Sequence, residues 1–353
     1  MKRQIIAILI LATIFGAAVY GSVSSQRQKA EHTIRIGFLS AAEGEDYDGA
    51  LVFKTYVESR TNGRVSVEIF PSGQFCGNER ECIEATQSGI LDIHMTTTGG
   101  IGRLYGDLQV LDLPYAFNND VIAECVFDGP LVGTIRESIL EEDLGMRLMV
   151  VSNTGGWRSL ATATKQIREP ADMAGLKIRT IPSAIQQELV RQLGANPTPI
   201  AWPEVYSALA TGVVEGTKNS VQDIVSAKLH ENLKFITLDG HAYMTAFWWY
   251  SEDRWQKIPP DVQKIAFEGF QHLKDVTRAV PILSQISDLE TFQEAGGTVY
   301  VPTSEEKAKF REAASGMRAW FTERYGSVWI DRMDTAIGAC EASSSAAFDQ
   351  ANG

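Results

Sequence analysis

Apolar and polar positions alternate over residues 33–38, with Ile34, Ile36 and Phe38 on one side, the period of two of a strand with one buried face. Over 49–60 the apolar residues Leu51, Phe53, Tyr56 and Val57 recur at helical spacing. Thr61-Asn62-Gly63 ends that helix, Gly63 suiting the left-handed cap position. Val65, Val67 and Ile69 alternate again as far as the turn Pro71-Ser72-Gly73. A helix over 79–87, closed by Gly89, and a strand over 91–95 follow. The same rhythm predicts a helix near 135–142, strands over 147–152 and 175–180, helices over 184–193 and 203–211, and strands over 235–238 and 246–250. Pro203 falls in a first turn, where its missing N–H is harmless. The region from 260 to about 295 reads as helical and is expected to break near Pro281. Such alternation predicts an α/β fold with mostly parallel sheets.

Two arginines fall where folds of this class bind ligands. In Gly175-Leu176-Lys177-Ile178-Arg179-Thr180 the apolar and basic residues alternate, so a half-buried strand would hold Lys177 and Arg179 on one face, opposite the core. A guanidinium ending a strand offers a rigid fork of donors matched to a carboxylate. Arg158, in Gly155-Gly156-Trp157-Arg158-Ser159, follows a strand and a glycine pair that would let backbone approach a ligand closely. Open α/β sheets bind ligands beyond the carboxyl ends of their strands, where both arginines lie. The plain alternative for either is a solvated ion pair.

The formal net charge of −12 argues against nucleic acid and anionic lipid as partners. An anionic solute would need locally placed arginines to overcome that field. Met1-Lys2-Arg3-Gln4 ahead of the apolar run 5–20 reads as a secretory signal, too short for a spanning helix. The small-residue stretch 21–25 lacks an Ala-x-Ala cleavage site, so an uncleaved anchor is the alternative. Either way residues 1–30 are expected outside the fold and the body of the chain is expected to be exported. What remains is long enough for two domains. No linker divides it, so two lobes exchanging strands fit better than separate units.

Cys76, Cys82, Cys125 and Cys340 allow three connectivities in an oxidising compartment. Cys76 and Cys82, close together in one loop-to-helix segment, are expected to be bridged; spacing lends a Cys125–Cys340 tie no support. The C-x5-C spacing and the scattered His32, His94, His230, His241 and His272 do not suit a metal. There is no G-x-S-x-G, P-loop or H-E-x-x-H, and Gly99-Gly100-Ile101-Gly102 fails the dinucleotide spacing. No catalytic residue and no cofactor is therefore expected. A competing reading, an exported enzyme acting on acidic sugars, rests on Glu43, Glu45, Asp46 and Asp48, which read more simply as a solvated rim.

Several motifs in combination resemble the solute-binding proteins of tripartite ATP-independent periplasmic (TRAP) transporters, in their organic-acid-binding branch. They are Thr61-Asn62-Gly63-Arg64-Val65, Phe70-Pro71-Ser72-Gly73-Gln74, Leu113-Pro114-Tyr115-Ala116-Phe117, Asp172-Met173-Ala174-Gly175-Leu176-Lys177-Ile178-Arg179 and Tyr206-Ser207-Ala208-Leu209. The resemblance implies a two-lobed, periplasmic-binding-protein-like α/β fold with strand exchange between lobes and a ligand cleft at the hinge. Lobe 1 is expected from 33–154 plus about 244–280, lobe 2 from 155–243 plus about 281–335, with 336–353 as a C-terminal tail. The implied activity is that of a periplasmic receptor, not an enzyme. It would close on a small organic acid and hand it to the small and large membrane subunits of a transporter.

On this resemblance Arg179 forms a two-point bridge to the ligand carboxylate and Arg158 contacts the same anion. Asn219 donates to the carboxylate or to a neighbouring hydroxyl, and Trp202 packs on the apolar face of the solute. Thr97, within Thr96-Thr97-Thr98 at a strand end, lines the pocket with a hydroxyl. One of Trp248 and Trp249 is expected to face the ligand, because strand neighbours point oppositely; Trp249 is assigned that place, with Trp157 and Glu79 as further contacts. The chain departs from the family at Gly216-Thr217-Lys218-Asn219, where Gly-Gln-Glu-Asn is usual, so Lys218 adds a cation near the cleft. Phe75-Cys76-Gly77 replaces the usual Leu-Gly, which bears on contacts from Asn78 and Glu79. The substrate stays open between carboxylates and sulfonates, a hydroxylated acid suiting Thr96, Thr97 and Thr98.

Overall fold

In chain order the strands are β1 (His32–Gly37), β2 (Val65–Phe70), β3 (Ile93–Thr97), β4 (Met146–Thr162), β5 (Lys177–Thr180), β6 (Asn196–Pro199), β7 (Gly216–Asn219), β8 (Phe235–Ser251) and β9 (Thr298–Tyr300). They form one sheet in the order β2-β1-β3-β8-β4-β7-β5-β6, with β9 beside β8. The structure, a computed structural model, describes residues 30–352, and the secretory-signal reading lies outside the described residues. Parallel pairing joins β1 to β2 and β3, and β5 to β6 and β7, as strand–helix–strand units require.

The middle of the sheet departs from that expectation. β4 and β8 are each 17 residues long and pair antiparallel with one another, spanning both lobes. The expected short strands 147–152, 235–238 and 246–250 are parts of these two. Their inner stretches carry Asn153, Thr154, Arg158, Asp239, His241 and Thr245, which break the apolar pattern although all are buried. Most find company inside, though the Thr245 hydroxyl does not: Asn153 Nδ2 donates to Tyr243 Oη at 2.7 Å, and Asp239 Oδ1 accepts from the Leu160 N–H at 3.1 Å. The β4–β8 register slips between Asn153 and Trp157 and again between Arg158 and Leu160. Bulges of this kind bend a strand and re-aim its side chains. The lobes lie on either side of them.

One lobe packs Ile34, Ile36, Phe53, Val67, Trp248 and Phe270 together, and the other packs Leu209, Ile224, Ile236 and Phe292. A third cluster joins Ile135, Phe247 and Trp249 of one lobe to Ile178, Leu189 and Phe321 of the other. The helix Pro260–Glu294 runs unbroken through Pro281, contrary to expectation. Its Phe270 and Leu273 are held in one lobe's core and Phe292 in the other's. Between them Arg278 grips Asp128 at 2.7 and 3.1 Å and the Val151 carbonyl at 3.0 Å. Packing on both sides of the proline outweighs its one missing hydrogen bond.

Residues 336–352 are not a separate tail. They continue the helix Val328–Asn352, whose Trp329, Ile330 and Met333 are buried and whose Cys340 is bonded to Cys125. Cys76 is bonded to Cys82. The acidic stretch is a solvated rim only in part: Glu43 and Asp48 are exposed, but Glu45 and Asp46 are 3% and 1% exposed in the first turn of the helix Glu45–Arg60. Among the described residues no helix is long and apolar enough to cross a membrane.

Candidate functional site

A cavity of about 550 Å³ lies between the lobes, with Thr154 and Arg158 of β4 and Met244 of β8 in its wall. From one lobe come Thr97, at the end of β3, and Asn78 and Glu79, at the start of the helix Glu79–Gln87. The other contributes Arg179 of β5, Asn219 of β7, Trp202 and Asp223. Apolar side chains, Leu39, Ile83, Met95 and Ile181 among them, make up much of the rest. At the rim Arg103 Nε donates across to the Pro182 carbonyl at 3.1 Å.

Arg179 and Arg158 are each 2% exposed. Arg179 Nε donates to the Ile200 carbonyl at 3.0 Å, and its guanidinium carbon lies 5.4 Å from the centre of the Trp202 ring. Its terminal nitrogens meet no protein acceptor among the described residues. Arg158 Nη1 donates to the Lys218 carbonyl at 3.1 Å; its Nε lies 3.9 Å from Asp112 Oδ1 and makes no hydrogen bond. Burial, and then the neighbouring charge of Arg158, push the Arg179 guanidinium down to about 9. An anion placed between the two would relieve both the desolvation and the repulsion.

Asn219 is held from both ends, its Oδ1 accepting from Thr217 Oγ1 at 2.8 Å and its Nδ2 donating to Asp223 Oδ2 at 3.1 Å. Burial raises the Asp223 carboxyl above its usual range, with Asn219 and the two arginines pulling it back. Glu79 accepts from the Thr96 hydroxyl and is pushed up to about 7, mainly by burial. Gly155, at φ 92°, does not bring backbone to the cavity. A Cβ there would come within 2.2 Å of Ser220 Oγ and 3.4 Å of Asp223 Cγ, so its bareness makes room for these side chains. No cluster of His, Cys, Asp and Glu among the described residues has the makings of a metal site.

The family profile described as bacterial extracellular solute-binding protein, family 7, matches residues 39–323. The chain belongs to that family. The C4-dicarboxylate-binding periplasmic protein DctP of Rhodobacter capsulatus is 28% identical over 338 residues, 95% of this chain and 99% of its own. A TRAP periplasmic solute-binding protein from Sulfurospirillum deleyianum, solved with bound succinate, matches with a TM-score of 0.82 at 26% identity, covering 87% of this chain and 99% of that one. Another, from Polaromonas, with bound D-erythronate, gives 0.80 at 26% identity over 86% and 98%.

In this solute-binding protein six of the expected contact residues, Arg179, Arg158, Asn219, Trp202, Thr97 and Glu79, line one cavity. Trp157 does not: its Nε1 donates to Asp120 Oδ1 at 2.9 Å and its ring meets Tyr243 edge-on at 5.3 Å. Trp249 does not either. Helices cover both faces of the sheet, so Trp248 and Trp249 point oppositely into two different cores. Lys177 is exposed at the start of β5, whereas Arg179, on the same face, is buried against Ile200 and Trp202. Lys218 turns away from the cavity and donates to Gln186 Oε1 at 2.6 Å; burial and Arg158 hold its ammonium well below its usual range. Asp223, Thr154 and Met244 carry no sequence signal of their own; only the crossing of the lobes brings them to the wall.

Proposed function

We propose that this protein captures a small organic anion, a carboxylate, in the periplasm and delivers it to the small and large membrane subunits of a TRAP transporter. Arg179 anchors the carboxylate through two parallel hydrogen bonds, Arg158 neutralises it from the side, and Asn219 donates to it. The lobes close over it by bending β4 and β8 at their bulges, the hinge motion common among such receptors. The observation that carries the reading is the pair of buried arginines lining one cavity, with the terminal nitrogens of Arg179 meeting no protein acceptor among the described residues. The carboxylates seen bound in related proteins, succinate and D-erythronate, support it. Glu45 and Asp46, on which an enzyme reading leaned, stand outside the cavity lining.

Charge-assisted hydrogen bonds contribute about 1.5–3 kcal/mol each, so the anchor would dominate micromolar binding. Calorimetry on Arg179 variants tests this. Arg179→Ala is expected to lose about 3–5 kcal/mol, leaving no detectable binding. Arg179→Lys keeps the charge but not the fork and should recover only part. Lys177→Ala should bind as wild type. Wild-type affinity in Arg179→Ala would place the anion elsewhere.

A further inference from the structure

A site that only held an anion would have no use for carboxylates, yet three line this one, and of these only Glu84, exposed and paired with Arg80, is accounted for. Asp223, 7% exposed, shares Asn219 with the expected ligand, and Glu79 faces it from the opposite lobe. Both are built in. Gly155 leaves room for Ser220, whose hydroxyl accepts from the Asp223 N–H at 3.0 Å, and a Cβ on Gly100 would come within 2.6 Å of Glu79 Cδ. Thr97 Oγ1, in the same wall, is buried without a hydrogen-bond partner, as is Arg158 Nε.

These groups discriminate among acids. An alkyl acid would leave the two carboxylates facing apolar surface. The second carboxylate of a diacid would meet Asp223 or Glu79, a like charge at short range whenever that side chain is ionised. The rim cations are already engaged, Arg80 with Glu84 at 2.7 Å and Arg103 with the Pro182 carbonyl. An ammonium beside the anchored carboxylate would stand against two guanidinium groups. A hydroxyl donates to a carboxylate and brings no charge with it.

We propose that the solute is a hydroxylated monocarboxylate, with Asp223 accepting from a hydroxyl next to the carboxyl group and Glu79 from one further along. The inference rests on the two-arginine reading above. A site shaped to pair a hydroxyl discriminates strongly against the analogue lacking it, because its own polar groups are then left unpaired.

Calorimetry with five four-carbon acids (butyrate, 2-hydroxybutyrate, succinate, erythronate and threonine) tests it. Erythronate is expected to bind about tenfold or more tighter than butyrate, succinate and threonine, with 2-hydroxybutyrate between. Asp223→Asn should weaken 2-hydroxybutyrate and erythronate by a larger factor than butyrate. Glu79→Gln, which keeps the Asn219–Asp223 bond, should weaken erythronate alone, and it carries the test if Asp223→Asn fails to fold. Succinate or threonine matching erythronate would overturn the inference. So would both variants weakening all five acids by one factor, or silence from all five. Arg179→Ala that still bound the series would instead overturn the two-arginine reading itself.

Discussion

Thr154 Oγ1 lies 2.9 Å from Glu45 Oε1 and 2.8 Å from Asp46 Oδ2, and Ser40 Oγ donates to the same Asp46 oxygen at 2.7 Å. The Thr154 hydroxyl has one proton to give, so a proton on Glu45 completes the arrangement. Burial pushes Asp46 up to about 7 from its ordinary 3.8; burial, then the charges of Asp46 and Asp223, push Glu45 well above its ordinary 4.5. The folded protein thus keeps a proton that the unfolded chain releases as pH rises through the ordinary carboxylate range. Stability from this pair is present at low pH and is lost as pH rises from about 4 to 7. Other carboxylates act oppositely, such as Glu252, held down by hydrogen bonds from Arg147. The comparison that isolates the pair is wild type against Asp46→Asn. The wild-type melting temperature is expected to fall relative to the variant's between pH 4 and pH 7. A constant gap across that window would mean that the pair ionises like exposed carboxylates.

Among the elements, the two disulfides do different work. Cys76 and Cys82 are six residues apart, and their bond packs with Leu39, against Phe75 and Trp202. It also fixes the start of the helix that carries Glu79. Cys125 and Cys340 are 215 residues apart and pin the last helix to Asp120–Asp128. In the chain-entropy picture the short loop contributes about 2 kcal/mol and the long one about 5 kcal/mol. Urea unfolding of the paired serine variants should therefore show the larger loss for Cys125 and Cys340. Ligand affinity should fall only for Cys76 and Cys82, because only that bond supports the cavity wall. Equal losses of stability, or an affinity loss confined to the Cys125–Cys340 variant, would contradict this division.

The whole molecule is two lobes joined by continuous elements. β4, β8 and the helix Pro260–Glu294 all cross without a break, so motion between lobes must come from bending at the bulges and near Pro281. A ligand held by Arg179 and Asn219 on one side and by Glu79 and Thr97 on the other would favour the closed arrangement. Small-angle scattering should show the radius of gyration shrink as hydroxy acid is added to saturation. An unchanged profile would leave a rigid pocket as the better account.

Local pattern determined much of this. Alternation and helical spacing marked β1, β2, β5 and the helices around them, because each buries one face or stripe and leaves the other wet. The arginines were visible for a related reason: a cation ending a short apolar strand has few places to go. Only the tertiary structure decided what lies at the middle. β4 and β8 are covered on both faces and interrupted by buried polar residues, so neither period appears along them. Two of the three expected ligand tryptophans, Trp157 and Trp249, packed away from the cavity, and only Trp202 lines it. Glu45 and Asp46 read as solvent-facing charges in sequence, Lys218 as a cation near the cleft, and Asp223 carried no reading at all; burial changed their chemistry, and burial is a property of the approach of distant segments, which no local pattern carries.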